Sequence, residues 1–217
     1  MKTGLVDILA FIGSSKSADR IIKDHPNPHR LKLFLQLEGK NLGIVTRYAD
    51  LSVAADEVLT GSVSFNGQRC TAIKLVVVHE SVVEEFNKIF VKKIKNLKSG
   101  LPWEEGVSIT PLPEPNKTAS MNELISDAVS KGAQVLTGGQ ISGNLMTPAV
   151  VFPVTSDMRL WHEEQFGPVI PIATYRSFDE IYDYLAKMPY GQQASIFSND
   201  ASSVSELVDV LATTVGR

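Results

Sequence analysis

Apolar residues along this chain recur with two alternating periods, and the alternation lays out the elements. The short apolar run from Val6 to Ile12 ends at Gly13-Ser14-Ser15, after which Ala18, Ile21 and Ile22 fall at helical spacing. That predicts a strand turning into a helix, which Pro26 and Pro28 then break because proline removes a backbone donor and restricts the residue before it. Leu31 to Leu37 alternates with one doubled apolar position and reads as a largely buried strand, closed by a turn at Glu38-Gly39-Lys40-Asn41. Helical spacing resumes from Asp50 to Val63 and leads into a loop around Asn66-Gly67. Ile73 to His79 is a buried strand. Ser81 and Glu84 form a capping-box pair before Val83, Phe86, Phe90, Ile94 and Leu97, whose steps of 3, 4, 4 and 3 define one helix face.

The second half repeats the alternation. A proline-rich connection from Pro102 to Pro115 precedes a helix carrying Met121, Leu124, Ile125 and Ala128, with Gly132 placed to end it. Strands follow near Ala133–Leu136, Thr147–Phe152, Val169–Ala173 and Ala194–Phe197; helices are expected after Ser177 and from Ala201 to Leu211. Strands alternating with helices predict an α/β fold: an open parallel sheet with helices on both faces.

Composition narrows the partners. With 43% hydrophobic and 21% charged residues and a formal net charge of -3, the 217-residue chain reads as globular, with no broad attraction for nucleic acid. No stretch approaches membrane-spanning length and no leader-like segment opens the chain, so a cytoplasmic protein without a membrane partner is expected. The lysines at 92, 93, 95 and 98 suit a solvated helix end, facing the negative end of the helix dipole. His25 and His29 lack clustered cysteines or carboxylates, so no metal site is expected.

Cys70 is the single cysteine, in the run Ser64-Phe65-Asn66-Gly67-Gln68-Arg69-Cys70-Thr71-Ala72. A lone cysteine is either a small buried hydrophobe or a nucleophile. Nucleophilic attack needs the thiolate, which nearby positive charge and amide donors favour, and Arg69 with the flexible Asn66-Gly67 pair offers both.

Several segments in order, Ile12-Gly13-Ser14-Ser15, Leu37-Glu38-Gly39-Lys40, Gly67-Gln68-Arg69-Cys70-Thr71-Ala72 and Met158-Arg159-Leu160-Trp161-His162-Glu163-Glu164-Gln165-Phe166-Gly167-Pro168-Val169, resemble the aldehyde dehydrogenase superfamily. Within it, they are similar to the non-phosphorylating, NADP-dependent glyceraldehyde-3-phosphate branch. The resemblance implies a catalytic-domain fragment: residues 1–37 as the tail end of a cofactor domain, and 38–217 as the cysteine-bearing catalytic domain. It implies oxidation of an aldehyde, glyceraldehyde 3-phosphate in the favoured case, through a thiohemiacetal and a thioester, with NADP or NAD as cofactor.

Residue by residue, Cys70 matches the nucleophile. Arg69, with Thr71 beside it, matches the substrate-phosphate position, although an arginine there also serves as a loop ion pair. Gly13, Ser14 and Ser15 match the loop beside the cofactor diphosphate, or else form a simple capped helix start. Glu164 and Phe166 match residues at the nicotinamide ribose and ring, while Glu163 is structural and His162 a neutral loop imidazole. The general-base position falls on Gln36, whose amide accepts no proton; Glu38, two residues along, is the tentative replacement.

The matching region ends at Val215-Gly216-Arg217, before the family's C-terminal segment, and the family's oxyanion-hole asparagine and adenosine-ribose lysine would lie upstream of Met1. A parent homo-oligomer, an inactive fragment and exposed surface near Met1 to Pro28 are therefore expected. The competing expectation is a non-catalytic scaffold or binding module, which Gln36 favours.

Overall fold

The computed structural model describes residues 1–215; the last two residues of the run ending at Arg217 lie outside it. The chain divides into two compact units, Met1–Glu38 and Gly39–Arg217. The Glu38 side chain is engaged within the first unit by Ser15.

In the first unit, β1 (Ile8–Ile12) and β2 (Lys32–Gln36) pair in parallel in a two-stranded sheet, joined through α1 (Ser15–Lys23). Ser14 caps α1, its hydroxyl accepting from the Ser17 amide. The expectation of a largely buried second strand is corrected: all of β2 is exposed, with Phe34 at 66%. Alternation reports which residues share a face, and burial then requires something to cover that face. One helix and two strands leave most of it open.

The second unit is built on a six-stranded sheet in the order β12-β3-β4-β11-β10-β7. In chain order its elements begin with β3 (Leu42–Val45), α2 (Leu51–Val63), β4 (Leu75–His79) and α3 (Val83–Lys95). The short pair β5 (Lys98–Ser99) and β6 (Val107–Ile109) leads to α4 (Lys117–Ser130) and β7 (Gln134–Thr137). A two-residue ribbon, β8 (Ile141–Ser142) and β9 (Leu145–Met146), precedes β10 (Ala149–Phe152), α5 (Arg159–His162) and β11 (Val169–Tyr175). Finally come α6 (Phe178–Lys187), β12 (Ala194–Phe197) and α7 (Ser205–Thr214). Pairing is parallel throughout except for β7, which runs antiparallel to β10 at the edge.

Both faces are covered. On one, Val76, Val78, Ile170 and Ile172 pack against Ala55 and Val58 of α2 and Phe86 and Phe90 of α3. On the other, Val151 and Val169 meet Met121 and Leu124 of α4, and Leu75, Val77 and Ala173 meet Ile181 of α6 and Leu207 of α7. The chain therefore leaves β4 toward one face and β11, its neighbour, toward the other.

Two helix starts differ from expectation. Val82, not Ser81, is the cap residue of α3, with no side-chain cap, because the Ser81 hydroxyl and amide both engage His79 Nδ1. The last helix opens at Ser205 after a tight 3-10 turn over Ser202–Val204.

Candidate active site

The cysteine loop begins where α2 stops. Phe65, Asn66 and Gly67 take positive φ of 53°, 60° and 70° in succession, which throws the chain out of the helix and back toward β4. A side chain at 67 would meet the Gly167 and Ser62 carbonyl oxygens at 2.6 and 2.8 Å, so only glycine fits. Asn66 tolerates its conformation through its side chain, which receives the Thr110 amide at 2.9 Å and donates to the Thr110 hydroxyl at 3.0 Å.

Past this bend Cys70 is exposed, so the buried-hydrophobe alternative does not describe it. The loop's carbonyls are tied down by side chains from three places. Asn41 Nδ2 donates to the carbonyls of Cys70 and Ala72 at 2.7 and 2.8 Å. Lys74 Nζ donates to those of Arg69 and Gly67 at 2.7 and 3.3 Å, and Gln193 Nε2 reaches that of Thr71 at 3.3 Å. Among the described residues the Cys70 amide donates to no acceptor, leaving a free N–H at the sulfur-bearing residue. Arg69 is exposed, its guanidinium carbon 5.1 Å from the centre of the Phe65 ring, and it forms no ion pair among the described residues. The ion-pair alternative for Arg69 is therefore not what the structure shows.

The Glu163–Phe166 loop is tied to the same loop by the buried Lys74 and is itself held by the buried Lys40, two lysines that the sequence reading passed over. Lys74, 1% exposed, sits 3.4 Å from Glu164 Oε1 and 4.5 Å from the centre of the Phe166 ring. Lys40 Nζ donates to the Glu163 carbonyl and to Gln165 Oε1, both at 2.7 Å. Gln165 Nε2 in turn donates to the carbonyls of Lys74 and Val169 at 2.8 Å. Burial pushes Lys74 below the ordinary lysine value, with the Glu164 charge opposing. Burial also pushes Lys40 well below it, reinforced by repulsion from Lys74. The available signal was a lysine inside an apolar strand run, Ile73-Lys74-Leu75-Val76: a charge there must be paired to be buried. Glu163 pairs with Arg159 at 2.7 Å on the surface, and the His162 ring meets the Ser156 carbonyl.

In the first unit the N-terminus of α1 already holds an anion. Both Glu38 carboxylate oxygens accept from the Ser15 amide, at 2.9 and 2.8 Å, and Oε1 also accepts from the Ser15 hydroxyl at 3.1 Å. To accept a proton elsewhere, Glu38 would first have to leave Ser15. Gln36 ends β2, its carbonyl accepting from the Gly13 amide at 3.1 Å. Within the first unit the Ser15 amide takes an oxyanion, and within the second Lys74 lies against both the Glu164 carboxylate and the Phe166 ring.

The family model described as the aldehyde dehydrogenase family matches residues 2–215. The chain belongs to the aldehyde dehydrogenase family. An NADP-dependent glyceraldehyde-3-phosphate dehydrogenase of Streptococcus equinus is 37% identical over 181 residues, which are 82% of this chain and 38% of that protein. Aminoaldehyde dehydrogenase 2 of Pisum sativum, a peroxisomal protein, is 34% identical over 200 residues, 90% of this chain and 40% of its own length. The crystal structure of the NADP-dependent glyceraldehyde-3-phosphate dehydrogenase of Bacillus halodurans C-125, complexed with NADP, superposes with a TM-score of 0.87 at 34% identity. That match covers 97% of this chain and 43% of the other. The chain therefore spans less than half the length of these aldehyde dehydrogenase relatives. Among its described residues, no helix is long and apolar enough to cross a membrane, and no three metal-ligating side chains cluster.

Proposed function

We propose that this chain carries the cysteine-bearing catalytic unit of a cytoplasmic NADP-dependent aldehyde dehydrogenase, and that the substrate is a phosphorylated aldehyde, glyceraldehyde 3-phosphate. Residues 1–37 then represent the tail end of a cofactor domain, and 38–217 the catalytic domain. The observation that carries this reading is the exposed Cys70, on a loop whose carbonyls are pinned back while its own amide N–H stays free.

In this reading the Cys70 thiolate forms a carbon–sulfur bond to the aldehyde carbon, and the oxygen takes up the negative charge. The free Cys70 amide is the donor that holds the oxyanion. The exposed, unpaired Arg69 guanidinium takes the phosphate of the substrate, with Thr71 alongside. Bound NADP supplies the acceptor for the hydride that the carbon must lose. Ser14, Ser15 and Gly13 would hold its diphosphate, and Glu164 and Phe166 its nicotinamide end. Water then attacks the thioester carbon, the carbon–sulfur bond breaks, and the carboxylate leaves with Cys70 restored as thiolate. Removing the water's proton is the weak step. The general-base position holds Gln36, and Glu38 is bound by Ser15.

That weakness supports a second reading, a non-catalytic scaffold derived from an aldehyde dehydrogenase. Iodoacetamide at neutral pH separates the two. Rapid, stoichiometric labelling of Cys70, slowed by glyceraldehyde 3-phosphate, agrees with the catalytic reading. Labelling no faster than that of a free thiol, and unaffected by the aldehyde, agrees with the scaffold. The isolated chain is expected to turn over little or nothing in an NADP-coupled assay.

A further inference from the structure

Cys70 and Lys74 precede the first residue of β4, so the cysteine loop lies at the amino end of the central strands. The carboxyl end has a cleft of its own. Four steps of about 3.3 Å separate Leu75 from His79, which places the two ends of β4 roughly 13 Å apart. Thr46, Arg47 and Tyr48 follow β3 into the cleft, His79 ends β4, and Tyr175 to Phe178 lead from β11 into α6. Together with Ser203 they enclose about 140 Å³. Because the chain leaves β4 and β11 toward opposite faces, their carboxyl ends cannot both be covered by the connections that follow. In open α/β sheets that is where a crevice forms and ligands bind.

The lining selects the charge. Arg47 is exposed and forms no ion pair among the described residues; its guanidinium carbon lies 5.6 Å from the centre of the Tyr48 ring. His79 is only 8% exposed, and its Nδ1 accepts from the Ser81 amide at 3.2 Å. The ring proton of the neutral imidazole therefore sits on Nε2, which has no acceptor among the described residues. A nine-tenths-buried ring with a free donor thus lines a cleft that also holds an unpaired guanidinium. Arg176 contributes less charge, since its Nε is 2.8 Å from Glu80 Oε2. The hydroxyls of Thr46, Ser177 and Ser203 already donate to Phe197, Asp179 and Asp200. The surplus of donors rests on Arg47 and His79, and the cleft takes a small anionic group between them.

We propose that this carboxyl-edge cleft is a second site, separate from Cys70, that binds a small phosphate-bearing molecule through Arg47 and His79.

Backbone amide NMR of the full chain, titrated with inorganic phosphate at constant ionic strength, tests it. Saturable shifts at residues 46–48 and 176–178 are expected with millimolar affinity. Arg47→Ala, a surface change that leaves the core intact, should weaken binding about tenfold, the value of one charge-assisted contact. His79→Gln should weaken it less, and Glu80→Gln should tighten it by freeing Arg176. Arg69→Ala should leave these shifts alone, which separates this site from any phosphate binding near Cys70. Phenyl phosphate binding more tightly than inorganic phosphate would identify a phosphomonoester as the ligand; equal binding would identify free phosphate. Shifts confined to residues 67–72, no saturable shift, or undiminished binding by Arg47→Ala would overturn the proposal.

Discussion

The Lys74 ammonium lies 3.4 Å from the Glu164 carboxylate while donating to the Arg69 carbonyl at 2.7 Å, so one buried cation joins the cysteine loop to the loop bearing Glu164 and Phe166. Taking a lysine out of water is repaid only when its counter-ion and hydrogen-bond acceptors are all in place. Here they are supplied by the cysteine loop and by the loop that carries Glu164.

Lys74→Met should therefore destabilise the chain by about 3 kcal/mol, because it leaves Glu164 without its cation. Adding Glu164→Gln should recover part of that loss. Urea denaturation of the two single variants and the double variant measures the coupling, and strict additivity would show that the pair contributes nothing jointly. Iodoacetamide labelling of Cys70 should also slow in Lys74→Met, since the carbonyls of residues 67 and 69 lose their shared donor.

Gly67→Ala should cost at least about 1–3 kcal/mol from backbone strain at φ 70°, before the clash with the Gly167 carbonyl is counted. Gly106→Ala is the matched control. It also has positive φ, at 74°, but faces open space, so its thermal midpoint should fall less.

Glu38→Ala should strengthen cofactor binding. The carboxylate occupies the Ser15 amide that a diphosphate would need, and an anion at a helix N-terminus is worth about 0.3–1 kcal/mol. Fluorescence titration with NADPH should show a two- to fivefold gain, by conversion of that range. Unchanged affinity would mean that Ser15 does not meet the diphosphate.

Lys40 makes stability depend on alkaline pH. Its folded value is depressed, so the unfolded chain binds more protons between that value and the ordinary lysine value. Stability is then undiminished above the ordinary lysine value and falls as pH drops through this window, with a slope of at most about 1.4 kcal/mol per pH unit from this group. Below the folded value the loss is constant. Denaturation midpoints across the window should rise with pH for the parent relative to Lys40→Met, which should show a flatter profile even if it is less stable throughout.

Much of the candidate site was legible as residue types in order. Cys70, Arg69, Glu164 and Phe166 stand in motifs that a linear reading detects, and the helix faces of α3 and α4 follow from spacing alone. Lys40, Asn41, Lys74 and Gln165 were not legible as a set. They meet only in the folded chain, because Lys40, Asn41 and Gln165 each donate to a backbone carbonyl far away in sequence, and Lys74 pairs with the distant Glu164 while donating to the nearby Arg69 carbonyl. The exposure of β2 was misread for a related reason, since apolar alternation records a face and not its cover.

The sequence by itself determined the alternation of strands and helices, the flexible Asn66-Gly67 pair that follows the second helix, and the presence of one cysteine beside one guanidinium. Those are local properties, set by side-chain period, φ preference and neighbouring charge. The tertiary structure alone decided that Glu38 binds the Ser15 amide at the start of α1, that Lys74 is buried against the cysteine loop and Lys40 against the Glu163–Phe166 loop, and that Arg47 and His79 share a cleft at the opposite edge of the sheet. Strand order brings those groups together, and strand order is set by which apolar faces bury each other, a relation that no short stretch of chain contains.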